Sequence, residues 1–135
     1  NRRLHSLNRN FGNGRHHALY YFSDDYGHSW KFGGLSHFWN INNSLAICKY
    51  KKQHVVLWNN LDSQYRRNMS IGIVEWANTV PHPHSIRLLN KEHGSYPCLC
   101  VSDDDSLHFA YTNPLRQIEY HVWNRKTFNK YLRRS

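Results

Sequence analysis

Histidine, cysteine, arginine and carboxylate are the side chains from which a chain of this length can build a reaction centre, and here their spacing excludes more than it admits. A zinc site needs ligands at short fixed intervals, such as C-x-x-C on a turn or H-E-x-x-H on a helix. The eleven histidines do not fall that way: His16 and His17, His82 and His84, and His108 and His121 are scattered over different hydrophobic stretches and turns. Cys48 stands alone, and Cys98 and Cys100 alternate along one stretch, so both point to one face and read as core filling. The sequence therefore predicts no metal and no cofactor.

Positive charge is the stronger chemical signal. The chain carries 18 Lys and Arg against 9 Asp and Glu, a net charge of +9, with a pI near 9.7. Arg2, Arg3, Arg9 and Arg15 supply it at one end, and Arg125, Lys126, Lys130, Arg133 and Arg134 at the other. Such ends attract polyanions. The C-terminal one, with Phe128 and Tyr131 interleaved among the cations, suits RNA through phosphate contact and stacking. A solvated basic surface without a dedicated partner fits the same charge, as does a site for a carboxylated sugar. Charge alone does not choose among them.

The elements that must hold these groups are strands. The hydrophobic stretches are short, rich in Val, Ile, Tyr, Phe and Trp, and separated by polar turns, with no sustained helical period. Nine strands are predicted, near 16–22, 29–33, 44–50, 54–59, 69–76, 84–89, 97–102, 106–112 and 117–123. Residues 54–59 align with 108–113 at an offset of 108 − 54 = 54. That is close to the period of about 40–50 residues of a four-stranded propeller blade. Between the first two strands lies Ser23-Asp24-Asp25-Tyr26-Gly27-His28-Ser29-Trp30. Its parts suit a hairpin turn: Ser23 and Asp25 can accept hydrogen bonds from turn amides, and Gly27 can take a positive φ. Trp30 would then bury its ring between neighbouring sheets, its N–H finding a partner.

This S-x-D-x-G-x-[S/T]-W string resembles the Asp-box of the sialidase, or BNR-repeat, β-propellers. Further segments in the same order strengthen the likeness. The Asn-rich run from Trp39 to Ile47 and the strand from His54 to Asn60 come first. Arg66-Arg67-Asn68-Met69-Ser70-Ile71, Ser95-Tyr96-Pro97-Cys98-Leu99, the run from Leu107 to Asn113 and that from Gln117 to Trp123 follow. The resemblance covers about residues 9 to 123. It implies an all-β fold, a part of a six-bladed sialidase-type propeller amounting to two to three blades. The expected organisation is a partial propeller over 1–123 and a basic C-terminal tail over 124–135. The propeller part divides into a half blade at about 9–35, a full blade at about 40–90 and an incomplete last blade at about 95–123. The rest of the propeller, from the same longer chain or another subunit, is then an expected partner.

The resemblance also implies a chemistry. Sialidases hold the substrate carboxylate with three arginines, whose forks match it, and attack with a tyrosine activated by a glutamate while an aspartate acts as general acid. By motif position Tyr96 matches the nucleophile and Arg66 an arginine of the clamp, with Arg67 its neighbour. Where the family has its glutamate and another arginine, the chain offers Asn43, Ser44 and Asn59. The remaining arginine and the acid would come from blades not in this chain. Asp62 and Glu75 are the neighbouring carboxylates, with no spacing that elevates either as a base. The implied substrate-binding set is Arg66, Arg67, Tyr96 and Asn59, and Ser23, Asp25, Gly27 and Trp30 are architectural.

Hydrophobic residues at 39% and aromatics at 15% suffice for a core and exclude a disordered chain, and no apolar run is long enough for a membrane-spanning helix. Asn42-Asn43-Ser44 and Asn68-Met69-Ser70 are sequons only if the chain is secreted; secreted and organellar locations both fit. Three functions follow. The first is a sialidase-like module without sialidase catalysis that binds glycans or serves a larger protein. The second is a degenerate propeller kept as a structural subunit of an RNA–protein assembly such as an organellar ribosome. The third is the C-terminal part of an active exo-sialidase-type hydrolase.

Overall fold

The computed structural model describes residues 2–12, 16–61, 65–76 and 80–132. Ten strands and one helix follow in chain order: β1 (Leu4–Asn8), β2 (His17–Ser23), β3 (Lys31–Trp39), β4 (Ala46–Tyr50), β5 (Gln53–Asn59), β6 (Met69–Glu75), β7 (His82–Asn90), β8 (Ser95–Val101), β9 (Leu107–Thr112), β10 (Ile118–Trp123) and α1 (Arg125–Leu132). The strands form three antiparallel sheets, ordered β1-β2-β3, β4-β5-β6-β7 and β10-β9-β8. The all-β reading holds, and the three sheets are blades of a partial propeller, the middle one with four strands and the outer two with three each.

The middle sheet is buried on both faces, which explains why β5 and β6 read as continuous apolar runs rather than alternating ones. Along β5 successive side chains point opposite ways. Val56 and Trp58 join Ala18, Tyr20 and Phe38 of the first sheet in one core. Val55 and Leu57, with Ile71 and Ile73, join Leu107, Phe109, Tyr111 and Trp123 of the third sheet in another. Phe38 meets Trp58 edge to face, ring centres 5.0 Å apart. Each such fully buried side chain contributes about 1.5–3 kcal/mol.

Four expectations are corrected. The first sheet has three strands, because Leu4–Asn8 pairs along its whole length with β2; flanking arginines and asparagines hide a five-residue strand of which only Leu7 is buried. β3 runs to Trp39, well past the predicted end at 33, through Gly33 and Gly34, which serve packing. A Cβ at Gly33 would lie 2.6 Å from the Tyr20 ring, and Gly34 takes φ 118° at a register shift. The predicted basic tail is instead α1, whose Phe128 and Leu132 enter the second core, Phe128 against the Tyr50 ring at 4.6 Å. Cys98 and Cys100 are exposed and fill no core.

Antiparallel connectivity sorts the loops to two ends of the sheets. The links β1–β2, β3–β4, β5–β6, β7–β8 and β9–β10 lie at one end, and the turns β2–β3, β4–β5, β6–β7 and β8–β9, with α1, at the other.

Candidate functional site

A ladder of buried asparagines builds the first of these ends. Asn40 Oδ1 accepts from the amide of Asn10 at 2.8 Å, and Asn40 Nδ2 donates to the Asn43 carbonyl at 2.8 Å. Asn43 Nδ2 donates to Asn59 Oδ1 at 3.3 Å. Asn59 Nδ2 in turn donates to the carbonyls of Arg67 at 3.0 Å and Gly94 at 2.8 Å. Three side-chain amides, those of Asn40, Asn43 and Asn59, thus tie all three sheets together where the loops leave them, satisfying backbone groups that no ladder reaches. Asn59, expected to touch substrate, is only 2% exposed, and its amide is spent on the scaffold.

What the ladder holds is the pair Arg66 and Tyr96. The Gly94 amide donates to the Arg66 carbonyl at 2.8 Å, joining the start of β6 to the start of β8. This brings together residues 30 apart in sequence (96 − 66). The Arg66 guanidinium carbon lies 4.9 Å from the centre of the Tyr96 ring, whose residue is 59% exposed. Arg66, by hydrogen bonding the phenol and then by its charge, holds the Tyr96 pKa below the ordinary tyrosine value, and Arg9 adds to the same effect. Both residues sit at positive φ, 55° and 51°, as do Asn42, Leu61 and Asn68 at this end. The turns at the opposite end hold the same conformation at Tyr26, Lys51 and Asp105, so it marks tight turns at both ends.

The other expected residues are placed as follows. Arg67 is exposed, its guanidinium 5.3 Å from the Tyr65 ring centre. Glu75 ends β6 at the opposite end of the sheet, facing His82 at 3.4 Å; a strand of this length puts it about 20 Å from the Arg66 loop. Asp62, Arg15, Arg133 and Arg134 lie outside the described residues. Among the described residues no carboxylate forms an ion pair with Arg66 or acts on Tyr96. Arg9 is the residue that sequence reasoning missed at this site, having counted it only as terminal charge.

The opposite end carries the turn built by Ser23, Asp25 and Gly27. Ser23 Oγ donates to Asp25 Oδ1 at 2.7 Å and accepts from the Gly27 amide at 2.9 Å. Asp25 accepts from the Ser29 hydroxyl at 2.5 Å and from its amide at 2.8 Å, and these bonds hold its carboxyl at about 2. Gly27 takes φ 89°. Trp30 donates to the Gly27 carbonyl at 3.1 Å, but its ring stays 45% exposed on the open face of the first sheet rather than buried between sheets. The β8–β9 turn repeats the device in shorter form: Ser102 Oγ donates to Asp104 Oδ1 at 2.5 Å, which also accepts from the Ser106 amide at 3.1 Å. The shared S-x-D spacing at 23–25 and 102–104 was the signal available in the sequence.

Arg2 and Arg3 lie at the N-terminal strand, Arg3 paired with Asp24 at 2.7 Å and stacked on Phe22. Arg125, Lys126, Asn129 and Lys130 line an open hollow of about 810 Å³ along α1. Its aromatics join the cations in part: Phe128 is buried, while Tyr131 lies against Trp123 and under Arg87, whose guanidinium carbon is 3.8 Å from the ring centre, with Lys130 Nζ 5.3 Å from the same centre. The structure therefore separates the Arg66–Tyr96 end from the basic helix. Among the described residues no group of three or more His, Cys, Asp or Glu side chains is arranged to hold a metal ion.

No protein-family model matches the chain, and no curated protein matches its sequence. Among solved structures it is similar to the intramolecular trans-sialidase from Ruminococcus gnavus in complex with oseltamivir carboxylate, with a TM-score of 0.65 and 15% identity. The match covers 88% of this chain and 29% of that one, so the chain spans under a third of the length of the enzyme it resembles. The fold is sialidase-like.

Proposed function

We propose that this chain is a part of a sialidase-like propeller that binds acidic glycans at the Arg66–Tyr96 end and does not hydrolyse them. The observation that carries this reading is the Arg66 guanidinium over the exposed Tyr96 ring, on a loop set by the asparagine ladder. A guanidinium fork suits a sugar carboxylate, and the tyrosine offers a face to the ring and a hydroxyl to its oxygens. Hydrolysis through a tyrosine needs a base to take its proton. The positions where the family likeness would put a glutamate and an arginine hold Asn43 and Asn59, buried and uncharged. The Ser23–Trp30 turn is read as an Asp-box on the face away from the site. The outer faces of the first and third sheets, which expose Trp30 and Phe32 on one and Ile118, Tyr120 and Val122 on the other, are covered by the remaining blades.

Titration calorimetry with 3′-sialyllactose and with lactose tests the binding claim. Heat of binding is expected for the first alone and is lost in Arg66→Ala, while no sialic acid is released on long incubation. Equal binding of both sugars, or of neither, refutes the reading; release of sialic acid supports the active hydrolase instead. The hollow along α1 favours a second reading, a structural subunit whose Arg125, Lys126 and Lys130 meet RNA phosphates. Tight, salt-sensitive RNA binding without any response to sialosides would establish it.

A further inference from the structure

The three sheets follow one another with a fixed sense. Each runs through its strands in chain order, and neighbouring sheets meet like strand to like strand, β4 beside β8 and β3 beside β7. One face of the middle sheet packs on the first sheet and its other face on the third. The first sheet therefore keeps its backward face open and the third its forward face, so each end of the stack offers what the other lacks. On the first sheet the Tyr21 and Phe32 rings stack with centres 5.3 Å apart, and Ser6, Asn8, Leu19, Tyr21 and Trp30 line an open hollow of about 480 Å³. On the third, Ile118, Tyr120 and Val122 form an exposed row along β10, while Glu119 and His121 turn the other way, to Phe109 and Tyr111. A row thus faces outward at one end and a hollow at the other, and none of these lining residues is charged.

Blade number decides how many copies can join. Propellers close with about four to eight blades. The described residues form three sheets, which is too few; three copies would bring nine, and two bring six. A contact between unlike faces is heterologous, and it closes into a ring of two when each copy spans half the turn. Such a ring makes the contact twice and covers four sheet faces. Three strands about 4.8 Å apart and about six residues long give each face about 290 Å², and the four together about 1,100 Å² of flat area, near the lower edge of the roughly 1,200–2,000 Å² buried in specific interfaces.

We infer that a second copy of this chain supplies the remaining blades, the first sheet of each copy packing on the third sheet of the other to close a ring of six sheets. The ring rests on the reading of the chain as part of a propeller with covered outer faces, and it names what covers them.

Light scattering on a sizing column tests the ring, with an expected mass of twice 16.2 kDa, or 32.4 kDa. Phe32→Asp and Val122→Lys each put a charge on one of the two open faces, at exposed positions where near-ultraviolet circular dichroism should stay unchanged. Each variant alone is expected at 16.2 kDa. Mixed in equal amounts they should return to 32.4 kDa, because one contact of the mixed ring is wild type on both sides and the other sets Asp against Lys. A wild-type mass of 16.2 kDa overturns the ring; if that monomer still gives heat with 3′-sialyllactose the glycan reading stands, and if it does not both fall. Masses that climb past two copies with concentration overturn closure, since they mark an open stack. Either variant holding at 32.4 kDa, or a mixture that stays at 16.2 kDa, overturns the contact between unlike faces.

Discussion

Tyr96 and Arg66 form the residue-scale unit, and each reports on the other. With Arg66 hydrogen bonded to the phenol and its charge alongside, Tyr96 titrates below the ordinary tyrosine value; Arg66→Ala is expected to move that titration upward, read by absorbance against Tyr96→Phe. Asn59 carries a different load, since its Nδ2 serves two backbone carbonyls and its Oδ1 accepts from Asn43. Asn59→Leu leaves those carbonyls buried and unpaired, at about 1–3 kcal/mol for each group, and should lower the unfolding midpoint in urea. His5 contributes to the acid response. Its ring lies 4.0 Å from that of Trp76 and 2.8 Å separates Nδ1 from the Tyr20 hydroxyl; burial first, then the neighbouring His54 and Arg3, lower its pKa to about 4. Between pH 6.5 and about 4 the unfolded chain therefore binds the extra proton, so stability falls as pH is lowered through that window. His5→Gln should flatten this part of the curve of unfolding free energy against pH.

At the scale of elements, Gly94 is the position on which the site geometry turns. A Cβ there would lie 2.4 Å from Met69 Cβ, while its amide and carbonyl join Arg66 to Asn59. Gly94→Ala must push the start of β6 from the β7–β8 link. The expected cost is about 1–3 kcal/mol in unfolding experiments, with weaker 3′-sialyllactose binding than the stability loss alone gives. The strands with alternating or doubly buried patterns were legible in the sequence: β9 shows Leu107, Phe109 and Tyr111 inward at every second residue, and β5 its unbroken apolar run. β1 was not, because one buried Leu7 among polar neighbours gives no period, and α1 was not, because eight residues with two buried side chains look like a charged tail. Of the site, Arg66 and Tyr96 were reachable only through resemblance. Nothing in spacing alone joins them, since their meeting depends on the Gly94–Arg66 bond between two sheets. Arg9 was hidden for the same reason.

On the scale of the whole molecule, three sheets are stacked with two cores between them, and the stack is open at both sides. Ile118, Tyr120 and Val122 alternate along β10 and are all exposed; Trp30 and Phe32 are exposed on the first sheet. Apolar rows of this kind on sheet faces are contact surfaces for further sheets. On the proposed reading, in which further blades cover this face, replacing Ile118 and Val122 together by Lys is expected to leave the two cores intact by near-ultraviolet circular dichroism while abolishing any complex with those blades in native mass spectrometry. The two ends of the stack are chemically distinct as well, Arg9, Arg66 and Tyr96 at one and the α1 cations at the other, so the place where a ligand lands separates the readings of the molecule. Amide chemical shifts followed by NMR during titration with 3′-sialyllactose would locate it. Binding of an acidic glycan predicts shifts confined to the loops around Arg9, Asn42, Arg66, Gly94 and Tyr96; shifts along Arg125–Leu132, or none at all, would contradict it.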